Sequence, residues 1–222
     1  MFYGCTSLTT APELPATGLT QYCYRSMFQG CTSLTEAPEL PATTLAAYCY
    51  AQMFQRCTSL RTVQSALPAT TLANFCYYSM FQYCTSLTAA PELPATSLAN
   101  SCYQGMFYNC TALTTAQSTL PATTLTSNCY QGMFQECKLL TTAPELPATT
   151  LVDYCYLNMF NGCKNLSYIK AMFTTEPSTT YTDNWVYGVA SAGTFVKNSA
   201  ASWTDVGVNA APNGWTIETA SS

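Results

Sequence analysis

The chain contains no histidine among its 222 residues, and charged side chains account for only 8% of the sequence. Without histidine, neither a Ser-His-Asp nor a Cys-His catalytic arrangement can form, and the commonest metal-ligating side chain is missing. Seven lysines and arginines with a net charge of -4 do not provide the concentrated basic surface that nucleic acid binding requires. These absences argue against histidine-dependent catalysis and against a nucleic acid partner.

No run of about 20 apolar residues is present, so we expect no membrane insertion within this chain. The basic and apolar regions of a signal peptide are also missing. Met1 lies inside a repeated motif, and we therefore expect the chain to be part of a longer protein. Apolar residues make up 48% of the sequence, which is enough to build a folded core.

The dipeptide Met-Phe recurs along the chain at a nearly constant spacing. It begins at Met1, Met27, Met53, Met80, Met106, Met133 and Met159. A fixed period of this length, about 26 residues, predicts a solenoid and lies in the range of leucine-rich repeats. In the longer repeats, "VQSALP" at Val63 and "AQSTLP" at Ala116 replace the shorter "APELP". The extra residue therefore indicates a turn or bulge at this point.

Each repeat is predicted to contain two short elements. The first is an extended, threonine-rich segment after the Cys-x-x-Leu motif, for example residues 34–40, whose proline excludes a central antiparallel strand. The second follows Leu-Pro-Ala-Thr, where Thr43 can cap a helix. Apolar side chains then recur at every fourth residue, at Leu45, Cys49, Met53 and Cys57. This spacing is typical of one face of a short helix, or of 3₁₀ turns.

The motif Cys-Tyr-x-x-Met-Phe-x-x-Cys-x-x-Leu, which begins for example at Cys49, resembles the BspA-type, or Treponema-type, leucine-rich repeat of bacterial surface proteins. It is similar to the Cys-Tyr-x-x-Met-Phe variant found in proteins of gut Bacteroidales and their phages. The resemblance implies an α/β solenoid with roughly 26–27 residues per turn. Short strands would form one face of this solenoid and short helices the other. The resemblance also implies surface display, adhesion or partner binding, and no enzyme activity.

Two segments are expected along the chain. Residues 1–171 form the leucine-rich-repeat solenoid of six full repeats and a partial one, and residues 172–222 form a small β-rich C-terminal cap. Glycine introduces two predicted strands there, "GTFVK" and "GWTIET". Trp185, Trp203 and Trp215 occur only in this segment. They either close the core that the last repeat exposes, or form a small module that contacts sugar rings.

Thirteen cysteines form two columns, and the two members within a repeat are eight residues apart. The first column contains Cys23, Cys49, Cys76, Cys102, Cys129 and Cys155. The second contains Cys5, Cys31, Cys57, Cys84, Cys110, Cys137 and Cys163. Either all are buried and reduced, or neighbouring repeats are joined by disulfides. A disulfide within a repeat would break a helix, because residues eight apart lie ~12 Å apart along its axis. No cysteine spacing typical of a zinc site is present.

Positions that vary between repeats are the candidates for a partner surface. On the extended segment they are Glu13, Glu39, Arg61, Gln64, Glu92, Gln117 and Glu145. After the Met-Phe pair they include Tyr83 and Tyr108. Stacking would align the glutamates in a loose acidic row, which is either a solvated face or a recognition surface. Exposed tyrosines suit recognition of a protein or a glycan.

The sequence therefore predicts a non-enzymatic, extracellular or cell-surface module that recognises a protein or glycan through its repeat surface, without a cofactor. An alternative is a receptor-binding or structural part of a phage tail that uses the same fold for host attachment. The repeats do not distinguish these two uses, because both require the same stacked surface.

Overall fold

Successive repeats stack as rungs around one hydrophobic core that extends from Leu14 to Trp215. This arrangement is seen in a computed structural model that describes residues 1–220. Within that part of the chain, the regular elements are strand β1 (Tyr168–Ala171), helix α1 (Thr179–Thr182), strand β2 (Thr194–Lys197) and strand β3 (Thr216–Thr219). The repeats before Tyr168 are built instead from turns and single β-bridges.

The extended segments of neighbouring repeats pair in parallel through isolated β-bridges, each of which joins one residue to one residue of the next repeat. One ladder of such bridges runs through Thr44, Thr71, Ser97 and Thr124. Other bridges join Glu36 to Thr62, Ala89 to Thr115 and Thr142 to Tyr168. The prolines of each repeat lack an N–H donor and so interrupt longer pairing. The strands implied by the resemblance are therefore reduced to single bridges in most rungs, and we call the surface that they form the bridge face.

The predicted helix is wrong for the segment 46–57, which contains three four-residue turns placed end to end. In each of these turns the last N–H donates to the carbonyl three residues earlier, and the donors are Cys49, Met53 and Cys57 at 3.2, 3.2 and 3.0 Å. Two further turns overlap them, closed by the N–H groups of Ala51 and Gln55. The third residue of each end-to-end turn has a positive φ, at Tyr48, Gln52 and Arg56. A type II turn requires this conformation at its third residue. Thr43 therefore caps no helix, and its carbonyl accepts from the N–H groups of Thr70 and Thr71.

Hydrogen bonds between rungs explain why turns replace the helix. The Tyr50 N–H donates to the Cys76 carbonyl at 3.0 Å, and the Phe54 N–H donates to the Met80 carbonyl at 2.9 Å. An α-helix would use these N–H groups within its own segment and leave none for the next rung. A spacing of four residues places side chains on one face both in a helix and in this series of turns. The prediction that Leu45, Cys49, Met53 and Cys57 point inward is therefore correct, although the helix is not present. We call the outer surface of these turns the turn face.

The C-terminal segment continues the stack. Strands β1, β2 and β3 form one parallel sheet in that order, in which Tyr168 pairs with Thr194 and Thr194 with Thr216. Both glycine-introduced strands are therefore present. Glycine is required at position 193, directly before β2, because a Cβ atom there would collide with the backbone carbonyl of Ser167. The core is continuous across the expected boundary after residue 171.

The three tryptophans all lie in this continuous core. Trp185 is completely buried, and its indole N–H donates to the Ala210 carbonyl at 2.9 Å. Trp203 and Trp215 are also buried and donate to backbone carbonyls. Their rings are thus not available to contact sugars, which argues against a separate tryptophan-based binding module. Their role in closing the end of the solenoid stays a prediction.

Candidate functional site

In the inner rungs, the apolar residues of the constant motif are buried, and most of the residues that vary between repeats lie on the surface. In the rung at 49–57, the Cys, Tyr, Met and Phe side chains of the motif are all at most 1% exposed. The Tyr50 and Phe54 rings stack on their equivalents in the rungs on either side. These columns therefore form the core, and a binding site has to use the variable positions of the bridge face and the turn face.

The second cysteine column contributes a specific hydrogen bond to the stack. The Cys84 thiol donates to the Phe54 carbonyl at 3.1 Å, and the Cys110 thiol donates to the Phe81 carbonyl at 3.1 Å. All thirteen cysteines are free thiols. Burial raises the pKa of Cys57 and Cys110 to about 12, so both stay protonated at neutral pH. A buried, protonated thiol is a poor nucleophile.

We expect Ellman's reagent to react rapidly with two thiols in the native protein and with all thirteen after unfolding. Cys5 and Cys23 are exposed, whereas the other eleven cysteines are buried. The measurement is a thiol titration with and without denaturant, in the absence of a reductant. A ladder of six disulfides would leave only one reactive thiol of the thirteen after unfolding, and that result would contradict the structure.

The glutamates of the bridge face do not form an uninterrupted acidic row. Glu92 pairs with Ala66 on one neighbouring rung, and Glu145 pairs with Thr119. With rungs about 4.8 Å apart, an uncharged residue therefore separates successive glutamates in this part of the stack. Glu145 also forms a salt bridge of 2.9 Å with Lys170, and the hydrogen bond in this pair raises the pKa of the lysine. The exposed members of the predicted set on this face are Glu13, Glu39, Arg61 and Glu92.

Gln64 and Gln117 have a structural role, while their assignment to a partner surface stays a prediction. The Gln64 side-chain oxygen accepts from the Leu40 N–H at 2.6 Å, and the Gln117 oxygen accepts from the Leu93 N–H at 2.6 Å. Each side-chain amide also donates to a carbonyl two residues later in its own repeat. The two glutamines thus replace backbone pairing at the one-residue insertion of the long repeats. Their regular position within "VQSALP" and "AQSTLP" is the sequence signal for this role.

Tyr83 and Tyr108 occupy two adjacent columns of the turn face, although the sequence places both shortly after Met-Phe. Their rings meet edge to face at 5.3 Å. The Arg56 guanidinium lies over the Tyr83 ring, 5.4 Å from its centre. Tyr83 has a positive φ of 63°, and the other residues of its column also have a positive φ. Tyr108 belongs to the neighbouring column, because it lies one residue nearer to Met-Phe in its own repeat.

Tyr108 lines an open groove of about 320 Å³ on the turn face. Three rungs contribute three residues each to this groove, and a fourth rung contributes Asn158. The lining residues are Tyr78, Ser79 and Gln82; Gln104, Gly105 and Tyr108; Gln131, Gly132 and Gln135; and Asn158. We call this feature the amide groove. Tyr108 is evident from the sequence as a candidate surface residue, but the glutamines are not, because their common location depends on the register of the rungs.

A second concavity of about 470 Å³ lies on the bridge face. It is lined by residues that include Gln117, Glu145 and Lys170 together with exposed threonines. Its two charged side chains, Glu145 and Lys170, form a salt bridge with each other. The bridge face therefore offers a hydroxyl-rich concavity, whereas the turn face offers the uncharged amide groove.

Within residues 1–220, no group of three or more Cys, Asp or Glu side chains is placed to hold a metal ion. In the same part of the chain, no helix has the length and apolar character needed to cross a membrane. The candidate binding surfaces in this part of the chain are therefore the bridge face and the turn face.

Comparison with known proteins identifies the repeats. The profile of the BspA type leucine rich repeat region matches six copies, over residues 1–92 and 79–184. A crystal structure of a leucine-rich repeat protein from Bacteroides ovatus is 17% identical, with a TM-score of 0.35 over 87% of this chain and 54% of that chain. The chain thus spans about half the length of that protein. No curated protein matches the sequence.

Proposed function

The chain belongs to the BspA-type leucine-rich repeat family, and we propose that it is a non-enzymatic binding module that acts outside the cell. In this proposal its repeat surface recognises a protein or a glycan. Surface display and the identity of the ligand are part of the proposal. The family is generally a binding scaffold, and no catalytic family is indicated.

One observation carries this proposal: the variation between repeats is concentrated on the surface. The core columns repeat the same side chains in rung after rung and are almost fully buried. The turn face carries different polar and aromatic side chains at equivalent positions, for example Arg56, Tyr83, Asn109 and Glu136. Solenoids commonly bind partners through such extended surfaces. A purely structural stack would not need a different side chain on each rung.

Two further observations disfavour an enzyme. The chain has no histidine, and burial raises the pKa of the core thiols, such as Cys76 and Cys110, to about 12. Neither feature supports nucleophilic or general acid–base chemistry near neutral pH.

Binding to two panels tests this function. One panel contains secreted animal proteins and glycans, and the other contains bacterial envelope polysaccharides; biolayer interferometry measures the affinity. We expect a specific ligand in one panel, with binding to envelope polysaccharides favouring the phage-tail use. A bridge-face variant (Glu39→Ala, Arg61→Ala, Glu92→Ala) and a turn-face variant (Arg56→Ala, Tyr83→Ala) identify the surface involved.

The variants also provide the control, because they change exposed or half-buried side chains and should keep the melting temperature near that of the original protein. At least one of them should weaken binding. Hydrolysis of a polysaccharide by the purified chain, or the absence of any ligand in both panels, would overturn the proposal.

A further inference from the structure

We propose that the amide groove binds a neutral, hydroxyl-rich glycan chain that lies along the stack of rungs. This inference rests on the proposed binding function and specifies both its site and the class of its ligand. Three features of the groove support it: how the groove is opened, which chemical groups line it and which groups are missing.

Two glycines open the groove. Gly105 and Gly132 lie in a column of positive φ whose other members include Gln52, Ser79 and Asn158. Residues with side chains therefore occupy the same column on neighbouring rungs, and the turn does not by itself require glycine at these two positions. The two consecutive glycines remove the side chains that would fill the middle of the recess.

Amide side chains form the walls on both sides of the glycines. The Gln104 amide nitrogen donates to the Gln131 side-chain oxygen at 2.9 Å. On the other wall, a ladder of amide hydrogen bonds runs from Gln29 through Gln55 to Gln82. Tyr108 occupies the next position of this ladder and interrupts it inside the groove. These hydrogen bonds orient the amide groups of Gln82, Gln104 and Gln131 before a ligand binds, which reduces the entropy cost of binding.

The chemistry of the lining selects for a neutral polar ligand. Each glutamine or asparagine amide offers both a hydrogen-bond donor and an acceptor, which matches the hydroxyl groups of a sugar. The rings of Tyr78 and Tyr108 add apolar surface with a polar tip, which suits the mixed faces of a sugar ring.

The absence of charge excludes other ligand classes from this groove. None of the ten lining residues is Lys, Arg, Asp or Glu. A phosphate-bearing ligand such as a nucleic acid, or a sugar acid, would lack a cationic partner here. An apolar ligand would bury amides without hydrogen bonds, which is unfavourable. A neutral chain of hydroxylated sugars satisfies the groove without leaving a charge or an amide unpaired.

Isothermal titration with defined oligosaccharides tests the proposal. The probes are neutral gluco-, manno-, galacto- and xylo-oligosaccharides, and an oligogalacturonide serves as the acidic comparison. We expect at least one neutral oligosaccharide to bind and the acidic one to bind more weakly. Gly105→Gln fills the recess, since Gln52 has the same positive φ in this column and the new Cβ would lie 3.1 Å from the rotatable Ser79 hydroxyl. It should raise the Kd by about tenfold or more.

Two further variants separate filling of the groove from damage to the fold. Gly30→Gln is the matched control, because it places the same side chain at a glycine of positive φ outside the groove, where the new Cβ has space. It should leave the Kd unchanged. Gln131→Leu removes an amide at a position where the next rung carries Leu157, and it should weaken binding while the melting temperature stays close to that of the original chain.

The outcomes distinguish this inference from the proposed function. Loss of neutral oligosaccharide binding in Gly105→Gln and Gln131→Leu, but not in Gly30→Gln, supports the groove assignment. Equal affinity in all variants would place the glycan elsewhere and overturn the inference while the binding function stands. The same holds if no oligosaccharide binds but the panels yield a protein ligand. If neither experiment yields a ligand, both proposals are wrong.

Discussion

Phe107→Ala is expected to lower the free energy of unfolding by about 3–5 kcal/mol, because it leaves a cavity in the middle of the stack. Phe107 is completely buried. Its ring stacks between those of Phe81 and Phe134, with centroid distances of 5.7 and 5.5 Å. In a solenoid each rung is stabilised mainly by its neighbours, so this substitution weakens two interfaces at once. Urea denaturation followed by circular dichroism measures the effect.

Tyr154→Ala is the matched control for this measurement. It also truncates an aromatic side chain on a rung of the solenoid, but Tyr154 is 46% exposed and lies on the turn face. Its positive φ of 57° is equally unfavourable for tyrosine and alanine, so backbone strain does not change. We expect Tyr154→Ala to lower the free energy of unfolding by much less than Phe107→Ala does. Similar denaturation midpoints for the two variants would mean that the phenylalanine column is not the core.

Raising the pH above about 9 is expected to unfold the protein cooperatively. Eleven cysteines are buried, and burial raises the pKa of Cys57, Cys76 and Cys110 from 9.0 to about 12. Below pH 9 the thiols are protonated in both states, so their contribution to stability is fully present. As the pH rises from 9 towards 12, the unfolded chain releases protons that the folded chain retains, and stability falls.

The size of this effect follows from the number of buried thiols. Each such group costs about 1.4 kcal/mol of stability per pH unit above the pKa of the unfolded chain. The summed loss of stability from several such groups therefore equals a typical total stability of about 5–15 kcal/mol once the pH has risen one or two units above 9. Buried tyrosines act in the same direction, since burial also raises the pKa of Tyr103 and Tyr130.

Thermal melts between pH 7.5 and 11 under reducing conditions check this prediction. The melting temperature should fall steeply above pH 9, and thiolate absorbance should increase together with the loss of structure. Cys110→Ala removes one of the titrating groups and should make the pH dependence shallower by about 1.4 kcal/mol per pH unit. Titration of all thiols near pH 9 in a protein that remains folded would show that the columns are not buried.

Much of the fold follows from repetition within a single chain. The period of the repeats, the inward Cys, Tyr, Met and Phe columns and the two glycine-introduced strands are all legible in the sequence. Residues that recur unchanged in every rung have the same neighbours above and below, so their burial can be inferred from the repeat. The family membership follows from the same motif.

The local conformation of the Cys-Tyr segment could not be inferred in this way. Its spacing of four residues fits a helix, and only Gly and Asn at positions such as Gly105 and Asn109 signal a positive φ. Tyr48, Gln52 and Arg56 adopt the same conformation without any such signal. This costs about 1–2 kcal/mol per residue in isolation, and the hydrogen bonds to the next rung offset it.

The candidate site was likewise only partly visible. The sequence identified Tyr108 as a candidate surface residue after Met-Phe, and it assigned Gln64 and Gln117 to a partner surface on the extended segment, because their side chains are polar and vary between repeats. Their bonding to Leu40 and Leu93 on the preceding rung is a tertiary feature. A polar side chain that completes the backbone pairing of a bulge cannot be distinguished from a ligand-binding one by composition.

The sequence by itself determined the solenoid, its period and its core, since one repeated motif has to bury the same columns on every rung. Only the tertiary structure decided between helix and turns, because half of the N–H groups in the Cys-Tyr segment find their acceptors on the neighbouring rung, one full repeat away along the chain. It also decided where the amide groove lies. Gly105, Gly132 and the glutamines beside them become one recess only when three rungs stack in register.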